Sequence, residues 1–283
     1  MKLIKIGLIL LLLATVGYQA KTYYNNRNQE NSGNAPIISS DVDEILIPCQ
    51  YTKEDLLQGL SAYDIEDGYI TDKILIGGFS NFTERGVSSL EYAVYDKDGN
   101  IAVFNRKVVF SDYIPPRITI GEPCVFKPAN NEDDIPHFNL KGVDKLDGDI
   151  SKHILVTGEN IDFSKPGKYT VSAYAKNSFG DEVTLDIPVH VLDPRINGYT
   201  IRLKKPLIYV NKGAFVKPER YIDSVRNEYT NIIVPDKEYK LKIKSGVDTS
   251  RDGIYEIKYS VVSRDKVQRG QTWMTVVVGD YGG

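Results

Sequence analysis

Cysteine, histidine, tryptophan and helical periodicity are all scarce in this chain of 283 residues, and each shortage narrows the chemistry open to it. The two cysteines each open what reads as the same strand of successive repeats, Cys49 in "IPCQY" and Cys124 in "EPCVF". Equivalent points on domains stacked end to end lie far beyond the roughly 4.4–6.8 Å between Cα atoms that a disulfide allows, so two reduced thiols are expected. The three histidines, His137, His153 and His190, fall on different predicted elements. None has a nucleophile and an acid in a pattern that supports a triad, and none shows metal-ligand spacing. They read as surface or strand residues. No glycine opens a helix, so a phosphate-cradling loop is missing, and no pair of carboxylates can be placed across a cleft. Neither an enzyme nor a bound cofactor is expected.

Tyrosine is abundant, with 19 Tyr against 9 Phe and one Trp. That suits short, half-exposed strands in which a ring packs inward while its hydroxyl stays wet. At 41% hydrophobic and 26% charged the composition is ordinary for globular domains, and the length leaves room for two or three. One helical turn is expected, around Glu54–Leu57.

The amino terminus differs from the rest. "MKLIKIGLILLLLATVGYQAK" sets Lys2 and Lys5 before an apolar run from Ile6 to Ala20. Residues 1–21 read as a signal anchor or signal peptide. The anchor is the favoured form, because Tyr18 stands where cleavage after Ala20 would want a small residue. No cysteine follows that could carry a lipid. Residues 22–40, polar and Asn-rich, read as a flexible spacer. The expected location is a single pass of the cell membrane with extracytoplasmic domains on the surface. The ending "VVVGDYGG" shows no wall-sorting motif.

The remainder repeats. Gly86, Gly167 and Gly253 align three segments and lie 81 and 86 residues apart, so one domain is about 80 residues. From each glycine the even offsets are apolar or small: Ser88, Leu90, Tyr92 and Val94, then Tyr169, Val171, Ala173 and Ala175, then Tyr255, Ile257, Tyr259 and Val261. Odd offsets carry Glu91, Ser172 and Lys258 and face water. Gly99 and Gly180 mark tight hairpins; the third repeat has "SRDKV" there, so a longer loop is expected. Proline-bearing junctions, "DYIPPRI" and "LDPRI", separate the units. The fold class is all-β: three tandem Ig-like antiparallel β-sandwiches at 41–113, 114–193 and 194–280, the last divergent, arranged as an elongated rod.

The order Asp-x-x-Asp-Gly-Asp-Ile-Thr/Ser, an apolar strand, Ser-x-Pro-Gly-x-Tyr-x-Val and a glycine hairpin resembles the bacterial Ig-like domain family of Gram-positive surface proteins that is named after a pesticidal crystal protein. Residues 144–191 carry the pattern closely, in "DKLDGDISKHILVTG" and "FSKPGKYTVSAYAKNSFGDEVTLDIPVHV". Residues 64–110 carry it with Tyr69 for the second Asp of Asp-Gly-Asp and Glu84-Arg85-Gly86 before the strand, and residues 196–279 keep only "VDTSRDGIYEIKYSV" and lose the Asp-Gly motif. The resemblance implies a sandwich fold and a surface location. It implies no activity, since these domains serve as spacers or binding modules.

Two readings compete for "DIEDGYIT" at 64–71 and "DKLDGDIS" at 144–151. Asp before Gly is a good turn former, the side chain accepting from backbone N–H and the glycine supplying positive φ. The alternative is a calcium site using Asp144, Asp147 and Asp149, which would need further oxygens such as Glu159 or Asp181. The turn explains the residues with less.

Charge divides the chain. Residues 194–283 hold 17 Lys and Arg against 10 Asp and Glu, a net of +7, whereas residues 36–193 hold 14 against 27, a net of −13. "KEYKLKIKSG" puts Lys240, Lys242 and Lys244 on one strand face and Leu241 and Ile243 on the other. That stripe is either a site for an anionic partner, such as a wall polymer, or an edge strand defended by lysines. The functional expectation is a non-catalytic, membrane-anchored binding or adhesion module, or alternatively a structural spacer or assembly partner of an envelope complex. Partners are the membrane and an anionic wall polymer, a glycan or another surface protein; nucleic acid is not expected.

Overall fold

The computed structural model describes residues 35–129, 137–157 and 161–280. The signal segment 1–21, residues 22–34 of the spacer, and Glu159 lie outside the described residues. Among those described, no helix is long and apolar enough to cross a membrane. The chain divides into two compact units at Ser111/Asp112, where the first proline-bearing junction begins.

The first unit contains strands β1 (Ile37–Ser40), β2 (Glu44–Ile47), β3 (Leu60–Asp64), β4 (Gly68–Tyr69), β5 (Leu75–Phe79), β6 (Val87–Tyr95) and β7 (Ile101–Phe110). They form one sheet in the order β1-β3-β4 and another in the order β2-β7-β6-β5. The even offsets Ser88, Leu90, Tyr92 and Val94 are buried as the alternation demands. Each apolar side chain fully buried there contributes roughly 1.5–3 kcal/mol. The expected helical turn is Lys53–Leu57, closed by a capping box in which Asp55 N–H donates to Thr52 and Thr52 N–H donates to Asp55. Arg106 lies fully buried where the other repeats place Ile187 and Met274. Its guanidinium donates to the carbonyls of Leu56 (2.5 Å) and Gln58 (2.7 Å), to Ser40 Oγ and to Tyr92 Oη, tying the two sheets together.

The second unit contains two further pairs of sheets. Strands β8 (Arg117–Ile120), β9 (Val125–Phe126), β10 (Leu140–Asp144), β11 (Gly148–Asp149), β12 (Leu155–Thr157), β13 (Gly167–Lys176) and β14 (Glu182–Val191) pair as β11-β10-β8 and β12-β13-β14-β9. Strands β15 (Tyr199–Leu203), β16 (Leu207–Asn211), β17 (Ile222–Asn227), β18 (Tyr239–Ser245), β19 (Gly253–Ser263) and β20 (Arg269–Gly279) pair as β15-β17 and β16-β20-β19-β18. One core joins Ile118 and Ile120 of β8 to Val171, Ala173, Leu185 and Ile187 of the facing sheet, and it also takes in Leu207 and Val277 from the third repeat. The second and third repeats therefore share buried surface. Tyr209 adds to it by accepting from Ile118 N–H (3.2 Å) and donating to Ile118 C=O (2.8 Å).

Three expectations need correction. Residues 37–40 of the supposed spacer form β1, because Ile38 is buried and all four residues pair with β3. The sheets are not purely antiparallel: β2–β7, β9–β14 and β16–β20 are parallel pairs. The physical reason is that each repeat's leading segment runs first in the smaller sheet and then crosses to the larger one, where it lies beside the closing strand in the same direction. The cysteines are not equivalent, since Ile47 and Phe126 hold the matching places opposite Phe110 and Val191. Cys49 therefore follows its strand while Cys124 precedes its own. Both are buried thiols, and burial pushes Cys124 up to about 12. The ruler glycines mark one place for two reasons. Gly86 adopts φ 74° and Gly253 φ 155°, while Gly167 and Gly253 lie under the rings of Tyr169 and Tyr255, whose hydroxyls donate to the carbonyls of Lys165 and Arg251.

Candidate functional site

The acidic motif is a turn that also fastens two hairpins. Asp64 Oδ1 accepts from Glu66 and Asp67 N–H at 2.9 and 2.8 Å, and Asp144 Oδ1 accepts from Leu146 and Asp147 N–H at 2.9 Å. Gly68 and Gly148 follow at φ 74° and 73°. The second acid reaches across to the long hairpin: Asp67 accepts from Lys97 N–H, and Asp147 accepts from Ser178 N–H (2.6 Å) and Oγ (2.7 Å). The hydrogen bonds from Lys97, backbone first and then side chain, hold Asp67 below its ordinary value. Ile70 and Ile150 enter the core, and the closing hydroxyls of Thr71 and Ser151 accept from Ala62 and Gly142 N–H. The first two acids, the isoleucine and the closing hydroxyl of the motif thus each have a structural partner. Asp149 accepts from Ser151, and Asp181 accepts from Tyr113 Oη. Asp144, Asp147 and Asp149 do not assemble into a ligand set, and among the described residues no group of three metal-capable side chains forms.

The lysine stripe belongs to a larger surface. Strand β18 is the edge of its sheet, with Lys240, Lys242 and Lys244 exposed. Tyr239 is buried and Ile243 half-buried on the other face, but Leu241 stays 40% exposed because the two-stranded sheet opposite is narrower than the four-stranded one. Residues directly opposite on neighbouring strands share a face. Lys244 stands opposite Lys258, which stands opposite Trp273; Lys242 leads to Ser260 and Gln271; Lys240 leads to Val262 and Arg269. Five cations therefore occupy one outer face. Among the described residues none of the five has an ion-pair partner.

By register the acid on that face is Glu256, and it is already engaged. Its Oε1 meets His190 Nε2 at 2.5 Å and its Oε2 meets Lys168 Nζ at 2.5 Å. Burial raises the Glu256 carboxyl, but the hydrogen bonds from His190 and Lys168 together outweigh it and hold the group below its ordinary value. His190 stacks on Trp273 with centroids 3.8 Å apart and planes at 9°, and Lys258 Nζ covers the ring 4.6 Å from its centroid. A cleft of about 770 Å³ opens beside this stack, lined by Arg195, Lys266, Arg269 and Trp273 among others. Arg195 is bound to Asp193, so Lys266 and Arg269 supply the unpaired charge. Sequence reasoning placed His190 on a strand but missed its burial and its acid. His137 and His153 are exposed and belong to no cluster.

The first unit shows a different exposed surface. Ile37, Tyr63 and Tyr69 stand in one cross-strand row on β1, β3 and β4, 65%, 47% and 81% exposed, with the two tyrosine rings 5.3 Å apart edge to face.

No family model matches the chain. It is 28% identical over 235 residues to the pesticidal crystal protein Cry22Aa of Bacillus thuringiensis, a match covering 78% of this chain and 30% of that protein. The chain thus spans about 30% of the length of that curated relative. Among solved structures, Drosophila N-cadherin EC1-4 matches over 87% of this chain and 76% of that one, with 12% identity and a TM-score of 0.25. The CBM51-2 and INT domains of Clostridium perfringens ZmpB, solved with GlcNAc, match over 86% and 42%, with 17% identity and a TM-score of 0.23.

Proposed function

We propose that this chain is a non-catalytic, extracytoplasmic binding protein, held at the cell membrane by its amino-terminal segment, whose ligand is an anionic polymer laid across the outer face of the third repeat. Its repeats are copies of the bacterial Ig-like family that the sequence resembles. One observation carries the ligand assignment: among the described residues, five cations without ion-pair partners share a sheet face on which Glu256 is already neutralised. Edge protection accounts for Lys240, Lys242 and Lys244 on β18, but not for Lys258 and Arg269, which stand on the interior strands β19 and β20 where no edge needs defending. A face of one sign with same-face residues about 6.8 Å apart along each strand suits a repeating anion.

The test is binding of the full chain to immobilised polyphosphate at low salt, wild type against Lys240→Gln/Lys242→Gln/Lys244→Gln. Retention of the wild type and a drop of about tenfold or more for the variant, with unchanged melting, is the expected result. No retention even at low salt would leave the lysines as edge protection and favour a structural spacer.

A further inference from the structure

Lys244 and Lys258 face each other directly across β18 and β19. Side chains so placed start with Cβ atoms about 4.5–5.5 Å apart, and like charges in that relation repel. Burial, and then the charge of Lys244, hold the Lys258 ammonium below the ordinary lysine value. Lys258 is also held in place. Lys258 Nζ lies over the Trp273 ring and His190 stacks on the same indole, so the indole is a fixed floor. What the floor presents to a ligand is the two ammonium groups.

We propose that Lys244 and Lys258 form a clamp for a single phosphate group of the polymer, with Trp273 positioning Lys258; this deepens the polyanion reading and rests on it. Two ammoniums on separate stems donate from separate directions, which fits a tetrahedral oxyanion. A planar carboxylate is matched better by the rigid fork of arginine. A bound phosphate removes the repulsion between the lysines, so the empty pair is the less comfortable state. Lys242 and Lys240 continue from the clamp along β18 in steps of about 6.8 Å, giving the next charges of a polymer their own partners.

Trp273 is the chain's one tryptophan, so its emission reports on the clamp. Titration of the full chain with polyphosphate at low salt is expected to give a saturable emission change that follows binding. Lys244→Gln and Lys258→Gln should each weaken binding about tenfold or more, as loss of a charge-assisted hydrogen bond does, while Lys240→Gln should weaken it less than about threefold. If Lys258→Gln unfolds, Lys244→Gln on the exposed edge keeps the comparison. Equal losses for Lys240→Gln and Lys244→Gln with no emission change would overturn the clamp yet leave polyanion binding standing. No polyphosphate binding by the wild type would overturn both. Heparin or polygalacturonate binding as tightly, with the same emission change, would overturn the assignment to phosphate.

Discussion

Asp144 and Asp147 sit three residues apart in the same motif and do different work. Asp144 is 3% exposed, closes the turn with one oxygen and accepts from Asn177 Nδ2 with the other. Asp144→Ala leaves buried donors without partners and should cost about 2–3 kcal/mol in urea unfolding. Asp147→Asn keeps one acceptor for Ser178 and should cost about 1 kcal/mol or less. A Cβ added at Gly148 meets no neighbouring atom, but the residue must hold φ 73°, so Gly148→Val should cost about 1–2 kcal/mol, mainly through the backbone. The reverse ranking, with Asp147 dominant, would contradict this division of roles. The turn itself was legible from Asp-Gly spacing. The partner of Asp147 was not, because Ser178 lies 31 residues away in a hairpin whose position depends on sheet packing.

At the scale of elements, the three long hairpins solve one problem with different residues. Each opens on a buried polar side chain, Asp96, Asn177 or Ser263, that accepts from a backbone N–H across the loop. The loops close between Asp96 and Asn100, Asn177 and Asp181, and Ser263 and Gln268, so the third is one residue longer, as its missing glycine suggested. Lys266 takes the place of Gly99 and Gly180 at φ 66°. Lys266→Gly should therefore raise stability by up to about 1 kcal/mol, read as an increase in melting temperature; a decrease would show that the lysine side chain stabilises the loop. Period-two alternation made the strands readable, and the hairpins fixed which residues of β19 and β20 stand opposite each other. The register of β18 on β19 was hidden, since no short turn joins them. For that reason the lysine stripe was visible and its continuation through Lys258 to Trp273 was not.

Across the whole molecule, charge and packing both set the third repeat apart, and the Glu256 contact with His190 and Lys168 joins it to the second. The folded value of Glu256 lies below the ordinary 4.5, so on acidification the unfolded chain takes the proton first. Its contribution is complete above about pH 5 and is lost as pH falls through the folded value. Glu256→Gln should lower the melting temperature at neutral pH and narrow the gap to wild type below about pH 4; a gap independent of pH would remove the ionised carboxylate from the account. The central claim, that the third repeat's sheet face binds an anionic polymer through its unpaired cations, is tested most directly by the salt dependence of polyphosphate affinity. Five cations pairing with a linear polyanion predict log affinity falling with log salt at a slope of about −3 to −4, reduced by about two when Lys240, Lys242 and Lys244 are replaced by Gln. A slope near zero, or one unchanged in the triple variant, would contradict it.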